Sequence, residues 1–102
     1  MSSDLGKKVR AIREAEGMGR QAFCNVTGIT KQTLINIEQG RNAPSGKLLA
    51  QVTKAFPQYT MWLMNDQVIE EVGQISPYAV VAQVAEAKGD GYRLSGKKAE
   101  ER

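Results

Sequence analysis

The sequence has no histidine, a single cysteine and no long apolar run. Without histidine the usual Ser-His and Cys-His nucleophile pairs are absent, and most zinc sites go with them. No acidic pair stands out as an alternative. The expectation is a protein that is not an enzyme, with no catalytic residues, no metal and no cofactor. Cys24 alone cannot close an internal disulfide, so nothing points to an oxidising compartment. No stretch approaches the ~20 apolar residues of a bilayer span. The opening MSSDLGKKVRAIRE lacks the apolar core of a secretion signal. A cytoplasmic location without a membrane partner is expected.

What the chain does have is an uneven charge. Residues 1–64 carry nine Lys/Arg against four Asp/Glu, or +5, and residues 65–102 carry five against seven, or −2. A basic front half favours a polyanionic partner such as nucleic acid. The 102 residues allow one compact domain and a modest appendage.

The first 64 residues read as successive short helices. Asp4 is placed to cap a helix with Leu5, Val9 and Ile12 on one face, ending near Gly17. A second helix starts at Gly19 or Arg20 and stops at Gly28. Met18 before its cap and Phe23 at the fourth position have staple spacing. Thr30 caps a third helix running to about Gln39, and Ile29 with Leu34 repeats the staple. Leu34 and Ile37 point inward there, while Lys31, Gln32, Ile35, Asn36 and Gln39 face out. Ser45 caps a fourth helix, with Leu48, Leu49, Val52 and Phe56 as its apolar stripe and Pro57 as its end. A fifth, Thr60 to about Asn65, docks Met61, Trp62 and Leu63. Residues 65–75 fit loop, strand or helix equally. Ser76-Pro77 opens a further helix to Lys88, and the glycine-rich, charged stretch 89–102 reads as a flexible tail.

The informative stretch is RQAFCNVTGITKQTLINIEQG, Arg20 to Gly40. Two short helices flank a glycine that permits a tight turn, and small Cys24 sits where they must cross closely. Arg13, Phe23-Cys24, Thr27-Gly28-Ile29-Thr30, Leu34, Ile37, Glu38, Gly40, Arg41, Asn42, Pro44 and Leu48-Leu49 occur in order. In this ordered set the chain resembles the Cro/CI-type helix-turn-helix regulators of phages, over about residues 5–64. Two positions depart from the family pattern. Gly19-Arg20 stands in place of the common Ser/Thr-Gln pair, and Cys24 in place of alanine. An arginine can replace the lost glutamine contact with a charge-assisted one. The thiol reads as a small buried hydrophobe rather than a redox sensor.

The resemblance implies an all-α fold: a five-helix Cro/CI repressor-like domain with a short C-terminal helical extension. It divides the chain into a DNA-binding domain at 1–66, an extension at 67–88 that is a candidate dimerisation helix, and the tail. It implies that Thr30, Lys31, Gln32, Thr33 and Asn36 read bases in the major groove of double-stranded DNA. Arg20, Gln21, Arg41 and Asn42 would meet phosphates. Ile35 would touch a thymine methyl or pack on a partner. Lys7, Lys8 and Lys47 read either as diffuse attraction for DNA or, more readily, as solubilising charges only. Arg13 and Glu38 would form an internal ion pair. A homodimer on a near-palindromic operator is implied, with Met61, Trp62, Leu63, Tyr78 and Val81 as its surface. The expected function is transcriptional repression. The alternative is an antitoxin or other protein-interaction module that binds a protein partner at the C-terminal region and DNA secondarily.

Overall fold

A computed structural model describes residues 2–82. Five α-helices follow one another through short connections: α1 (Ser2–Ala15), α2 (Arg20–Thr27), α3 (Lys31–Glu38), α4 (Gly46–Ala55) and α5 (Thr60–Asn65). The architecture is all-α. The remainder of the helix expected to reach Lys88, and the tail 89–102, lie outside the described residues.

The apolar stripe of α1 buries Val9 and Ile12 completely and Leu5 in part. This helix starts at Ser2, ahead of the cap expected at Asp4. Asp4 lies instead in the first turn, where a carboxylate favours the positive end of the helix dipole. Gly6, one turn before Val9, lies where α1 meets α3. A Cβ built on it would overlap the Ile37 carbonyl oxygen and come within 2.9 Å of the carbonyl carbon. The two backbones therefore touch at this point, and only glycine fits.

Phe23 of α2, Leu34 and Ile37 of α3, Val52 of α4 and Leu63 of α5 converge on the α1 stripe. The rings of Phe23 and Phe56 stack with centroids 5.6 Å apart and planes 7° from parallel. Pro57 ends the fourth helix as expected, but the chain does not pass into a loop. Residues Pro57–Tyr59 form a 3-10 turn that drives Tyr59 into the core, where it is fully buried. Its hydroxyl donates to Glu16 Oε2 at 2.6 Å, so the polar tip is satisfied at the core edge.

Burial, and then the bond to Glu16, push the Tyr59 phenol well above its ordinary pKa of 10.0. A raised pKa in the folded state means that the unfolded chain loses this proton first. The stability involved is intact below about pH 10 and declines as pH rises further. In urea unfolding, the wild type should lose more stability than Tyr59→Phe between neutral pH and about pH 11. Parallel losses in the two proteins would show that Tyr59 is not held protonated by the fold.

The stretch after α5, ambiguous in sequence, is a tight reversal. Ile69 N–H donates to Gln74 O at 2.9 Å and Gln74 N–H returns the bond to Ile69 O at 3.0 Å. A 3-10 turn, Glu70–Val72, lies between them. The Gln74 side chain fastens the reversal to the domain. Its Oε1 accepts from Met61 N–H and its Nε2 donates to Pro57 O, both at 2.9 Å. Ile75 N–H adds a bond to Gln58 O at 2.9 Å. Beyond it, Ser76 Oγ accepts from Ala79 N–H at 3.3 Å and residues 77–82 are helical.

Candidate nucleic-acid interface

The turn between α2 and α3 is built from its own short side chains. Gly28 has φ 80°, and its N–H donates to Cys24 O at 2.8 Å, closing α2. Thr27 Oγ1 donates to Phe23 O at 2.8 Å and accepts from Ile29 N–H at 3.4 Å. From α4, Gln51 Nε2 donates to Thr27 O at 3.3 Å. Nothing in the apolar pattern of α4 pointed to Gln51. Ile29 is buried, so the chain enters α3 from a fixed point. Cys24 is buried, and that burial raises its thiol pKa above the ordinary value. It is a packed neutral side chain, not a reactive thiolate.

Thr30 caps α3. Its Oγ1 accepts from Thr33 N–H at 3.4 Å and donates to Thr33 Oγ1 at 2.7 Å. Leu34 and Ile37 lie in the core, so the helix is fixed in rotation as well as position. Lys31, Gln32 and Thr33 are exposed on the opposite side. Asn36 is half-buried, and so is Ile35, which the sequence pattern placed outside. Asn36 Oδ1 accepts from Gln32 Nε2 at 3.1 Å and from Arg41 Nη1 at 3.5 Å. Three of the residues singled out in the sequence are thus linked on one face. Arg41, expected at a phosphate, stands beside Asn36.

Behind that face is a buried charge cluster. Arg13 Nε donates to Glu38 Oε2 at 2.7 Å and Arg13 Nη2 to Oε1 at 3.0 Å. Arg13 Nη1 also donates to Met18 O at 3.0 Å, tying α1 to the entry of α2. The Glu38 hydrogen bond is the main cause that raises the Arg13 pKa beyond its ordinary value, so the guanidinium stays charged. Arg20, the first residue of α2, donates from Nε to Glu38 Oε1 at 3.1 Å. The sequence pattern had not joined Arg20 to this pair. Gln21 is exposed, with Nε2 on Asn25 Oδ1 at 3.0 Å, and Asn42 is exposed in the loop before α4.

Two of the expected dimer residues are spent inside the monomer. Leu63 is fully buried and Trp62 nearly so, because α5 closes the core. Met61 is half-buried, while Tyr78 and Val81 are exposed. Tyr78 meets Trp62 edge-on, with centroids 5.6 Å apart and planes at 89°. Lys8 is not a free solubilising charge either. It donates to Trp62 O at 3.0 Å, lies 5.1 Å from the Trp62 ring centroid and pairs with Asp66.

Among the described residues no three His, Cys, Asp or Glu side chains gather as a metal site. No described helix is long and apolar enough to cross a membrane.

The arrangement is a helix pair presenting one polar helix face, and the sequence that forms it matches known proteins. The helix-turn-helix family profile matches residues 9–63. The chain is also 34% identical over 79 residues to Repressor protein C of Escherichia phage P2, covering 76% of this chain and 80% of that protein. The chain belongs to the helix-turn-helix family and is a phage-like DNA-binding regulator of the Cro/CI type.

Proposed function

We propose that the protein is a dimeric, sequence-specific transcriptional repressor that lays α3 in the major groove of a near-palindromic operator. The observation that carries this reading is the outward face of α3. Lys31, Gln32, Thr33 and Asn36 offer donors and acceptors there, while Leu34 and Ile37 lock the helix from behind. Thr30 starts that face. Arg20, Gln21, Arg41 and Asn42 flank it and meet phosphates. Similarity to a phage repressor supports repression as the outcome. The protein needs no cofactor and performs no catalysis, and it acts on DNA in the cytoplasm.

Pairing follows from size. One short recognition helix buries too little surface for tight, selective binding, and two-fold dimers double it. Val72, Tyr78 and Val81 are among the exposed apolar side chains, with relative exposures of 67%, 65% and 49%, and they support such pairing. The domain at 1–66 reads DNA and the extension that follows carries the dimer contact.

Fluorescence anisotropy against the DNA upstream of the protein's own gene and a shuffled control tests the reading. Affinity should favour the native DNA and fall as salt rises. Gln32→Ala and Asn36→Ala should each cost about 1–3 kcal/mol on the native DNA and little on the control. Arg41→Ala should weaken both DNAs and flatten the salt dependence. Unchanged operator affinity in the Gln32 and Asn36 variants would remove this face from the reading.

A further inference from the structure

The cluster of Arg13, Glu38 and Arg20 holds more charge than an internal pair needs. Two guanidinium groups share one carboxylate, so the cluster keeps a net positive charge. The Glu38 side chain is 1% exposed and that of Arg13 is 11%, but that of Arg20 is 33%. The positive excess therefore reaches solvent through Arg20. Glu38 Oε2 is taken by Arg13 Nε, and Oε1 is shared between Arg13 Nη2 and Arg20 Nε. Arg20 donates to the carboxylate through Nε. A guanidinium has five N–H groups in a fixed planar fork, and among the described residues neither Nη nitrogen of Arg20 makes a hydrogen bond, so both remain for another acceptor.

Arg20 also opens α2. Gly19, its N-cap, supplies no side-chain acceptor to the first-turn amides. Those amides and the Nη end of Arg20 belong to the same helix start, which favours an anion.

We propose that Glu38 is a positioning residue for DNA binding: it clamps Arg20 through Nε so that the Nη end is already aimed at a backbone phosphate. This rests on the reading that the α2–α3 unit binds duplex DNA. A long side chain that is ordered before binding loses less freedom on binding. An arginine can serve both acceptors from separate edges of one plane, whereas a lysine is a single point charge.

The test compares the wild type, Arg20→Lys and Arg20→Gln on operator DNA across a salt series, with thermal unfolding measured alongside. Both variants keep the doubly bonded Arg13–Glu38 pair and so should stay folded. Arg20→Lys should lose about tenfold in affinity with the salt slope unchanged, because the charge remains and the clamp is gone. Arg20→Gln should lose more, and its log–log salt slope should shrink by about 0.9, the value of one phosphate contact. Arg20→Lys binding like the wild type would make Arg20 a plain charge and overturn the positioning role. Affinity and slope unchanged in both variants, with only the melting temperature lowered, would make the contact purely structural and overturn the proposal. Wild-type protein with no salt-dependent DNA binding would defeat the DNA-binding reading itself, and this proposal with it. That failure is told apart because it appears before any substitution is made.

Discussion

Glu38→Ala should destabilise the domain by about 3–5 kcal/mol, the cost of removing one partner from a buried ion pair. Its carboxylate accepts three N–H bonds, two from Arg13 and one from Arg20. Once it is gone, the largely buried Arg13 guanidinium keeps its charge and loses its counter-ion. Arg13 cannot escape by deprotonating, because an arginine stays charged at any workable pH. The loss should appear in urea unfolding as a lower midpoint with little change in slope. Removing both charges together, in Arg13→Met with Glu38→Leu, should recover most of it, since no buried charge is then left alone. A cost below about 1 kcal/mol for Glu38→Ala would put the pair among exposed bridges and contradict the burial seen here.

Gly6→Ala is expected to cost about 3 kcal/mol, at the upper end for overpacking. On an open helix the same change would stabilise by up to about 1 kcal/mol, because glycine is a poor helix former. Here the added methyl meets the Ile37 carbonyl, which is backbone and has no rotamer with which to yield. The helices α1 and α3 must separate, and the Arg13–Glu38 bonds that span them lengthen with the shift. DNA affinity should fall too, because α3 is the element displaced. Gly46→Ala is the matched control. Gly46 is also helical, as the first residue of α4, but a Cβ there meets nothing within 4 Å. That variant should be neutral or slightly stabilising. Loss of stability at position 6 against none at position 46 separates close packing from any general effect of glycine. Equal behaviour at both positions would mean that α1 and α3 do not touch.

These two sites mark the boundary of what the sequence makes legible. The turn at Gly28, the caps at Thr30 and Ser45 and the inward pair Leu34 and Ile37 follow from local spacing. Each rule joins residues within about one helical turn. The face of α3 bearing Lys31, Gln32 and Asn36 follows from the same periodicity. Gly6 is different. In sequence it is only a residue that disfavours helix, and its reason lies 31 positions away, at Ile37. Tyr59 hides in a 3-10 turn too short to show a periodic stripe. Lys8 and Arg20 read as free cations because their partners, Asp66 and Glu38, lie on other elements. Trp62 and Leu63 suit a core and an interface equally well by composition. Only the position of α5 against α1 commits them to the core.

The reversal after α5 is held to the helices through Gln74 and through the peptide groups of residues 57, 58 and 61. Peptide groups are the same whatever side chains they carry. The anchorage is therefore almost blind to the spelling of the segments it joins, apart from one amide side chain with a donor at one end and an acceptor at the other. Residues 67–72 can drift under mutation while the α2–α3 unit keeps its address, with Gly73 held to glycine by its φ of 79°. In a lineage of such proteins, the outer surface at Val68 and Val72 can be rewritten independently of the helix that reads. New assembly habits can then evolve without a new recognition sequence, provided Gln74 keeps its grip.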